Sequence, residues 1–434
     1  MAHYNYSQHK ILKYFWLVSS CTRSKHSCAQ FTVNYDRKIM DCCPIASYTK
    51  HRGGPMKLAF ALSGGGARGA YSAGVQRYLF TELPKKLGYI PFPQLVSGAS
   101  VGSMNGYFAA CHSMLEVVRM TELWTHLNIN QMYNIPLSSL SLLKQVVKNS
   151  QMASLLDATP FYKLIHQEAA RRTLRSAIHP QKCEAFLVSS THMYSGQGVF
   201  FADVWSPKLK VKPPPCGRVH YTRIYPKHIL ASAAIPLLFP PVEIEGQYYL
   251  DGSLKQYVPL QPLLDLNATR ILILGTRARE EDQLTQPPDL QLSLSMVGGS
   301  SLGAMISDYV ERDMVAAEQV NTLIDWGKRN YGDDFEQKLK ADLSIQRSKI
   351  KTICPSFSLS RLAREIFDVN KINADANTKW LMSWLNDNSS EQEGSVALSS
   401  IFFDPLYTRA AEDLGFQDAQ KLEDSLLEWL QKDE

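Results

Sequence analysis

Twice between Lys57 and Met114 the chain runs from a short apolar strand, through a turn rich in small residues, into a helix. Residues 57–62 (Lys-Leu-Ala-Phe-Ala-Leu) form the first strand, Ser63-Gly64-Gly65-Gly66-Ala67-Arg68-Gly69 the turn, and residues 70–83 a helix stopped by Pro84. The second unit has its strand at 94–96, its turn at 97–102 and a small-residue helix at 101–114. Successive strands joined by helices must run parallel, so the pattern predicts a parallel sheet covered on its faces by crossover helices. Further buried strands are expected at 184–190, 271–276 and 349–354, with helices at 308–326 and 359–367. Pro-rich loops are expected at 210–215 and 236–241.

Charge and cysteine usage narrow the class of function. The 434 residues carry a net charge of +5. Residues 1–55 hold eight basic side chains against Asp36 and Asp41. The remainder is therefore close to neutral, which argues against a nucleic-acid partner. Cys21, Cys28, Cys42 and Cys43 lie in that basic segment, while Cys111, Cys183, Cys216 and Cys354 are scattered, with no CxxC pair. Single cysteines without metal spacing fit a reduced, cytoplasmic protein with no metal site. The apolar run 11–18 is interrupted by Lys13 and is short for an export signal. Residues 1–55 therefore read as a basic tail outside the fold, residues 56–330 as the main α/β domain, and residues 331–434 as a mainly helical region packed on it. Trp380, Trp384 and Trp429 are its expected packing anchors.

The first turn contains GxGxxG, Gly64 to Gly69, which also occurs in dinucleotide-binding folds. That use requires an acidic residue after the second strand, where this chain has Gly98-Ala99-Ser100. The other use of such a loop is to offer backbone N–H groups, at a helix N-terminus, to a developing oxyanion. The second turn, Gly98-Ala99-Ser100-Val101-Gly102, matches GxSxG between a strand and a helix, the setting that exposes a nucleophilic serine. A serine needs a base. All eleven histidines lie at or before His228, so a late catalytic histidine is missing, and a triad would have to draw on residues such as His220 or His228. The alternative base is Asp251, where an apolar run ends in Asp251-Gly252. A partly buried carboxylate has a raised pKa and can take a hydroxyl proton directly.

In order, Gly64-Gly65-Gly66-Ala67-Arg68-Gly69, Gly98-Ala99-Ser100-Val101-Gly102 and Asp251-Gly252, with Phe239-Pro240-Pro241-Val242 before the last, resemble the patatin-like phospholipase family, in a bacterial-type member. The resemblance is close from Met56 to about Thr276. It implies a three-layer α/β fold with a mostly parallel central sheet, helices on both faces and a helical C-terminal elaboration. It also implies a lipid acyl hydrolase of phospholipase A or lysophospholipase type without cofactor or metal. Ser100 would be the nucleophile and Asp251 the base; Gly64, Gly65 and Gly66 would form the oxyanion hole, with Arg68 steadying the loop. Gly69, Gly98, Gly102 and Gly252 would support the motifs. Ser253 departs from the Gly or Ala usual after the Asp-Gly pair. Such an enzyme must meet lipid at a membrane or micelle surface, with residues 231–242 and 133–143 as candidate contacts and a peripheral location possible. The alternatives are a dinucleotide-binding oxidoreductase and a non-catalytic lipid-binding protein on the same fold.

Overall fold

Leu58–Leu62 (β1) is buried along its whole length. Leu58, Phe60 and Leu62 enter one apolar core, and Ala59 and Ala61 enter a second on the opposite face. A strand covered on both faces must be apolar throughout, which is why no polar residue interrupts it. The computed structural model describes residues 56–135, 154, 156–169, 173–278, 310–343, 345–387 and 395–431, with backbone only at 169 and 310–317. The tail 1–55, with its four cysteines, and residues 136–143 of one expected lipid contact lie outside the described residues. So do residues 308 and 309, where the first C-terminal helix was expected to begin.

The remaining strands are Leu95–Ala99 (β2), Ala185–His192 (β3), Gly198–Val204 (β4), Arg218–Tyr221 (β5), Val242–Ile244 (β6), Gln247–Asp251 (β7), Arg270–Leu274 (β8) and Lys349–Ile353 (β9). They form one sheet of order β5-β4-β3-β2-β1-β8-β9, with β7 on β3 and β6 on β7. The five strands from β3 to β9 in that order are mutually parallel. β4 turns antiparallel to β3, and β5 runs parallel to β4. The expected mostly parallel α/β sheet is present.

Gly69–Thr81 (α1), Val101–Ala110 (α2) and Met114–His126 (α3) follow the first two strands. The expected helix at 101–114 is two helices, because His112 adopts φ 49° and ends the first. β2 runs on to Ala99, past the expected end, since Ser97, Gly98 and Ala99 still pair with β3.

The C-terminal part enters the same core. Leu359–Ile366 (α4), Val396–Ile401 (α5) and Pro405–Lys421 (α6) are its elements nearest the site. α6 crosses α1 with backbones almost in contact: a Cβ on Gly74 would stand 1.8 Å from the Glu412 carbonyl oxygen, and one on Gly415 2.0 Å from that of Tyr71. Arg77 forks onto both carboxylate oxygens of Glu412 at 2.5 and 2.9 Å, and Tyr71 donates to Asp418 at 3.2 Å. Trp384 and Trp429 pack partly buried against the core. Trp380 is instead 50% exposed and stacks on Trp384, so it anchors little. The described residues all belong to one compact unit, His51–Glu434.

Candidate active site

β2 and β3 run side by side until Ala99 pairs with Ser189. There β2 ends, but β3 continues through Ser190, Thr191 and His192, and β7 takes over its free edge. Asp251, the last residue of β7, pairs with Ser190 and so arrives beside the point where the chain leaves β2. Ser100 makes that departure at φ 52°, ψ −127°, directly before α2. A non-glycine residue in this region is strained, and the strain points the side chain away from both the strand and the helix. The turn closes only because its flanks lack side chains. A Cβ on Gly98 would meet the Gly102 carbonyl oxygen at 2.4 Å, and one on Gly102 would meet that of Leu62 at 2.3 Å.

Ser100 Oγ donates to Asp251 Oδ2 at 2.6 Å. The second carboxylate oxygen, Oδ1, accepts the Ser253 amide at 2.7 Å. The Asp251 backbone is held on both sides: its N–H donates to the Ala234 carbonyl at 2.9 Å, and its carbonyl accepts Thr191 Oγ1 at 2.9 Å. Asp251 is 3% exposed. Burial raises its pKa from 3.8 to about 6, while the Ser100 hydroxyl and the Ser253 amide and hydroxyl pull it back down. The Ser253 hydroxyl is near enough for that electrostatic effect but lacks hydrogen-bond geometry, and it is buried without a partner among the described residues.

The glycine loop lies next to this pair. A Cβ on Gly64 would stand 2.2 Å from Ser253 Oγ and 3.4 Å from Ser100 Cβ. The Gly64 amide donates to the Tyr257 carbonyl at 3.2 Å, and the Gly64 carbonyl accepts Thr276 Oγ1 at 2.6 Å. Tyr257 in turn places its hydroxyl 2.8 Å from Thr276 Oγ1. The Gly64 N–H is thus committed to the fold. Of the three glycines expected to form an oxyanion hole, Gly64 already has a backbone acceptor in this structure, and Gly65 and Gly66 are the loop's other candidate donors. Gly65 (φ 143°) and Gly66 (φ 59°) enter a single 3-10 turn, Gly66–Arg68, that leads into α1 at Gly69. Gly252 passes so near β3 that a Cβ would be 2.3 Å from the Ser189 carbonyl oxygen.

Arg68, 5% exposed, reaches α4 and α5, donating to Ser399 Oγ at 2.8 Å and Ser360 Oγ at 3.0 Å. Neither histidine left open as a base reaches the pair among the described hydrogen bonds. His228 is buried against Phe201 and accepts the Tyr225 amide at Nδ1, and burial lowers its pKa to about 3. His220 packs at a tilt against the same phenylalanine.

One contributor escaped the motif reading. Ser232, fully buried, accepts the Ser100 amide on its Oγ at 2.8 Å and so braces the strained turn. The available signal was a lone hydroxyl inside the apolar run Ile229 to Ile235. Of the expected lipid contacts, residues 231–242 are mostly core, with Leu237 standing out at 77% exposure, and Tyr133 is wholly buried. No group of metal-ligating side chains occurs among the described residues.

Residues 60–264 match the family model described as patatin-like phospholipase. This part of the chain is a patatin-like phospholipase domain. Solved structures similar to it include VipD from Legionella pneumophila, at 13% identity and TM-score 0.35, covering 86% of this chain and 67% of that one. Human GIVD cytosolic phospholipase A2, in complex with methyl gamma-linolenyl fluorophosphonate inhibitor and terbium chloride, is similar at 11% identity and TM-score 0.39. There the match covers 86% of this chain and 59% of the human one. No curated protein matches the sequence.

Proposed function

We propose that this protein cleaves fatty-acyl esters of phospholipids or lysophospholipids through a Ser–Asp pair and an acyl-serine intermediate. The observation that carries the reading is the buried 2.6 Å hydrogen bond from the Ser100 hydroxyl to Asp251. Asp251 is the base. As its carboxylate takes the hydroxyl proton, Ser100 Oγ bonds to the ester carbonyl carbon and the carbonyl oxygen becomes an oxyanion. The amides of Gly65 and Gly66 receive that charge. Collapse expels the lipid alcohol, which takes the proton from Asp251. Water then repeats the sequence on the acyl-serine: Asp251 accepts a water proton, the hydroxide adds to the carbonyl, and Ser100 leaves reprotonated with the fatty acid released.

A carboxylate suits this role when its pKa lies near the working pH. Burial places Asp251 there, at about 6. The substrate is met at a membrane or micelle surface, and the protein works as a cytoplasmic or peripheral enzyme. No helix among the described residues is long and apolar enough to cross a membrane. The test is to incubate the protein with a panel of phospholipids and lysophospholipids and identify the released species by mass spectrometry. Free fatty acid from the wild type and none from Ser100→Ala supports the reading. Equal release by both removes Ser100 from it, and no release from any lipid ester removes the hydrolase assignment.

A further inference from the structure

Arg68 is a buried cation with no carboxylate partner among the described residues, an arrangement that is costly unless the charge is used. Its acceptors are neutral. Nε donates to Ser399 Oγ at 2.8 Å; Nη2 donates to Ser360 Oγ at 3.0 Å and to the Val396 carbonyl at 3.4 Å. Both serines are buried, and their hydroxyls lie 3.4 Å apart. The Ser399 hydroxyl donates to the Val396 carbonyl at 3.0 Å, which leaves its lone pairs for Arg68. The neighbouring residue completes the contact: a Cβ on Gly66 would meet the Ser400 carbonyl oxygen at 2.0 Å, so the turn's backbone rests on α5. α5 is itself fixed, with Leu398 N–H capped by Ser395 Oγ at 3.0 Å and the Ile401 carbonyl accepting the Tyr133 hydroxyl at 2.9 Å.

We propose that Ser360 and Ser399 are positioning residues for the glycine loop, holding Arg68 through neutral acceptors so that the turn bearing the Gly65 and Gly66 amides stays aimed and the guanidinium charge stays unneutralised. Both lie beyond residue 264, outside the matched family region, so the C-terminal part supports a loop at the other end of the chain. The choice of serine carries the argument. A carboxylate at either position would bind the guanidinium more tightly but would cancel its field, and that field favours negative charge on a nearby oxygen. This proposal rests on the acyl-hydrolase reading above.

The test uses the full chain and four variants: Ser399→Ala, Ser360→Ala with Ser399→Ala, Ser399→Thr and Ser399→Asp. The readouts are kcat and KM on a short-chain chromogenic ester, with hydrogen exchange at the amides of residues 64–69. The proposal expects kcat about tenfold lower in Ser399→Ala and lower again in the double variant, with KM unchanged and loop amides exchanging faster. Ser399→Thr, which keeps the hydroxyl, should restore kcat. Ser399→Asp should protect the loop as well as the wild type does yet remain slow. Wild-type kcat and exchange in the double alanine variant would overturn the proposal, and full activity in Ser399→Asp would overturn its electrostatic half. Should Ser399→Asp not fold, the alanine and threonine comparison still decides the positioning role. Exchange is read without turnover, so an inactive wild type would remove the hydrolase reading while leaving the support of the loop measurable.

Discussion

Asp251→Asn should make the protein more stable at neutral pH while removing its activity. The carboxyl is 3% exposed and has its pKa raised from 3.8 to about 6 by burial. A folded-state pKa above the unfolded one means that the native state holds the proton more tightly. The resulting stability is fully present below about pH 3.8 and is lost as pH rises through about 6. At roughly 1.36 kcal/mol per pKa unit, keeping Asp251 ionised in place costs the fold about 3 kcal/mol at pH 8. Asparagine has the same shape and no charge, so it avoids that cost. For a domain of this size the gain corresponds to a rise in Tm of roughly 2–6 °C. Thermal denaturation of both proteins from pH 4 to pH 8 should show the gap opening as pH rises and nearly closed at pH 4. In parallel, kcat/KM of the wild type should climb through about pH 6 as the base ionises, and the variant should lose about 10²–10⁴-fold. A gap that is the same at pH 4 and pH 8, or a variant less stable at pH 8, would refute the claim that the fold holds a strained, ionised carboxylate.

Two further outcomes follow from the loop. Gly66→Ala places a Cβ 2.0 Å from the Ser400 carbonyl oxygen at a φ of 59°, so the turn must shift; kcat should fall about 10²-fold or more, as on losing an oxyanion donor, with the protein still folded by circular dichroism. Ser232→Ala removes the acceptor of the Ser100 amide, and steady-state kinetics should show a lower kcat with little change in KM.

Much of this site is legible in the sequence, because its chemistry is concentrated in turns. Ser100 and the glycine loop each follow a strand whose apolar run is unmistakable, and the flanking glycines mark where backbones cross. Asp251 was legible as an alternative to His220 or His228 and as part of the Asp251-Gly252 motif. What places it next to Ser100 is the switch of partner on β3 from β2 to β7, and β7 is a half-exposed strand, Gln-Tyr-Tyr-Leu-Asp, with no clear period. β4 and β5 were also missed: β4 turns antiparallel to β3, and β5 is a four-residue edge strand without a buried residue. The support for Arg68 was beyond reach, since hydroxyls some three hundred residues away in sequence leave no local signal. Gly64 shows the converse. Its position in the motif suggested a donor, but its amide is already bonded to the Tyr257 carbonyl, a contact set by tertiary structure alone.

The central claim is that Asp251 activates Ser100 directly, with no imidazole between them. A fluorophosphonate probe forms a covalent bond only with an activated serine, so the decisive measurement is its rate of attachment, followed by peptide mapping of the adduct. The account predicts a single adduct on Ser100, formed faster as pH rises through about 6 and at least a hundredfold slower in Asp251→Asn. Attachment at another serine, or at an undiminished rate in Asp251→Asn, would contradict it.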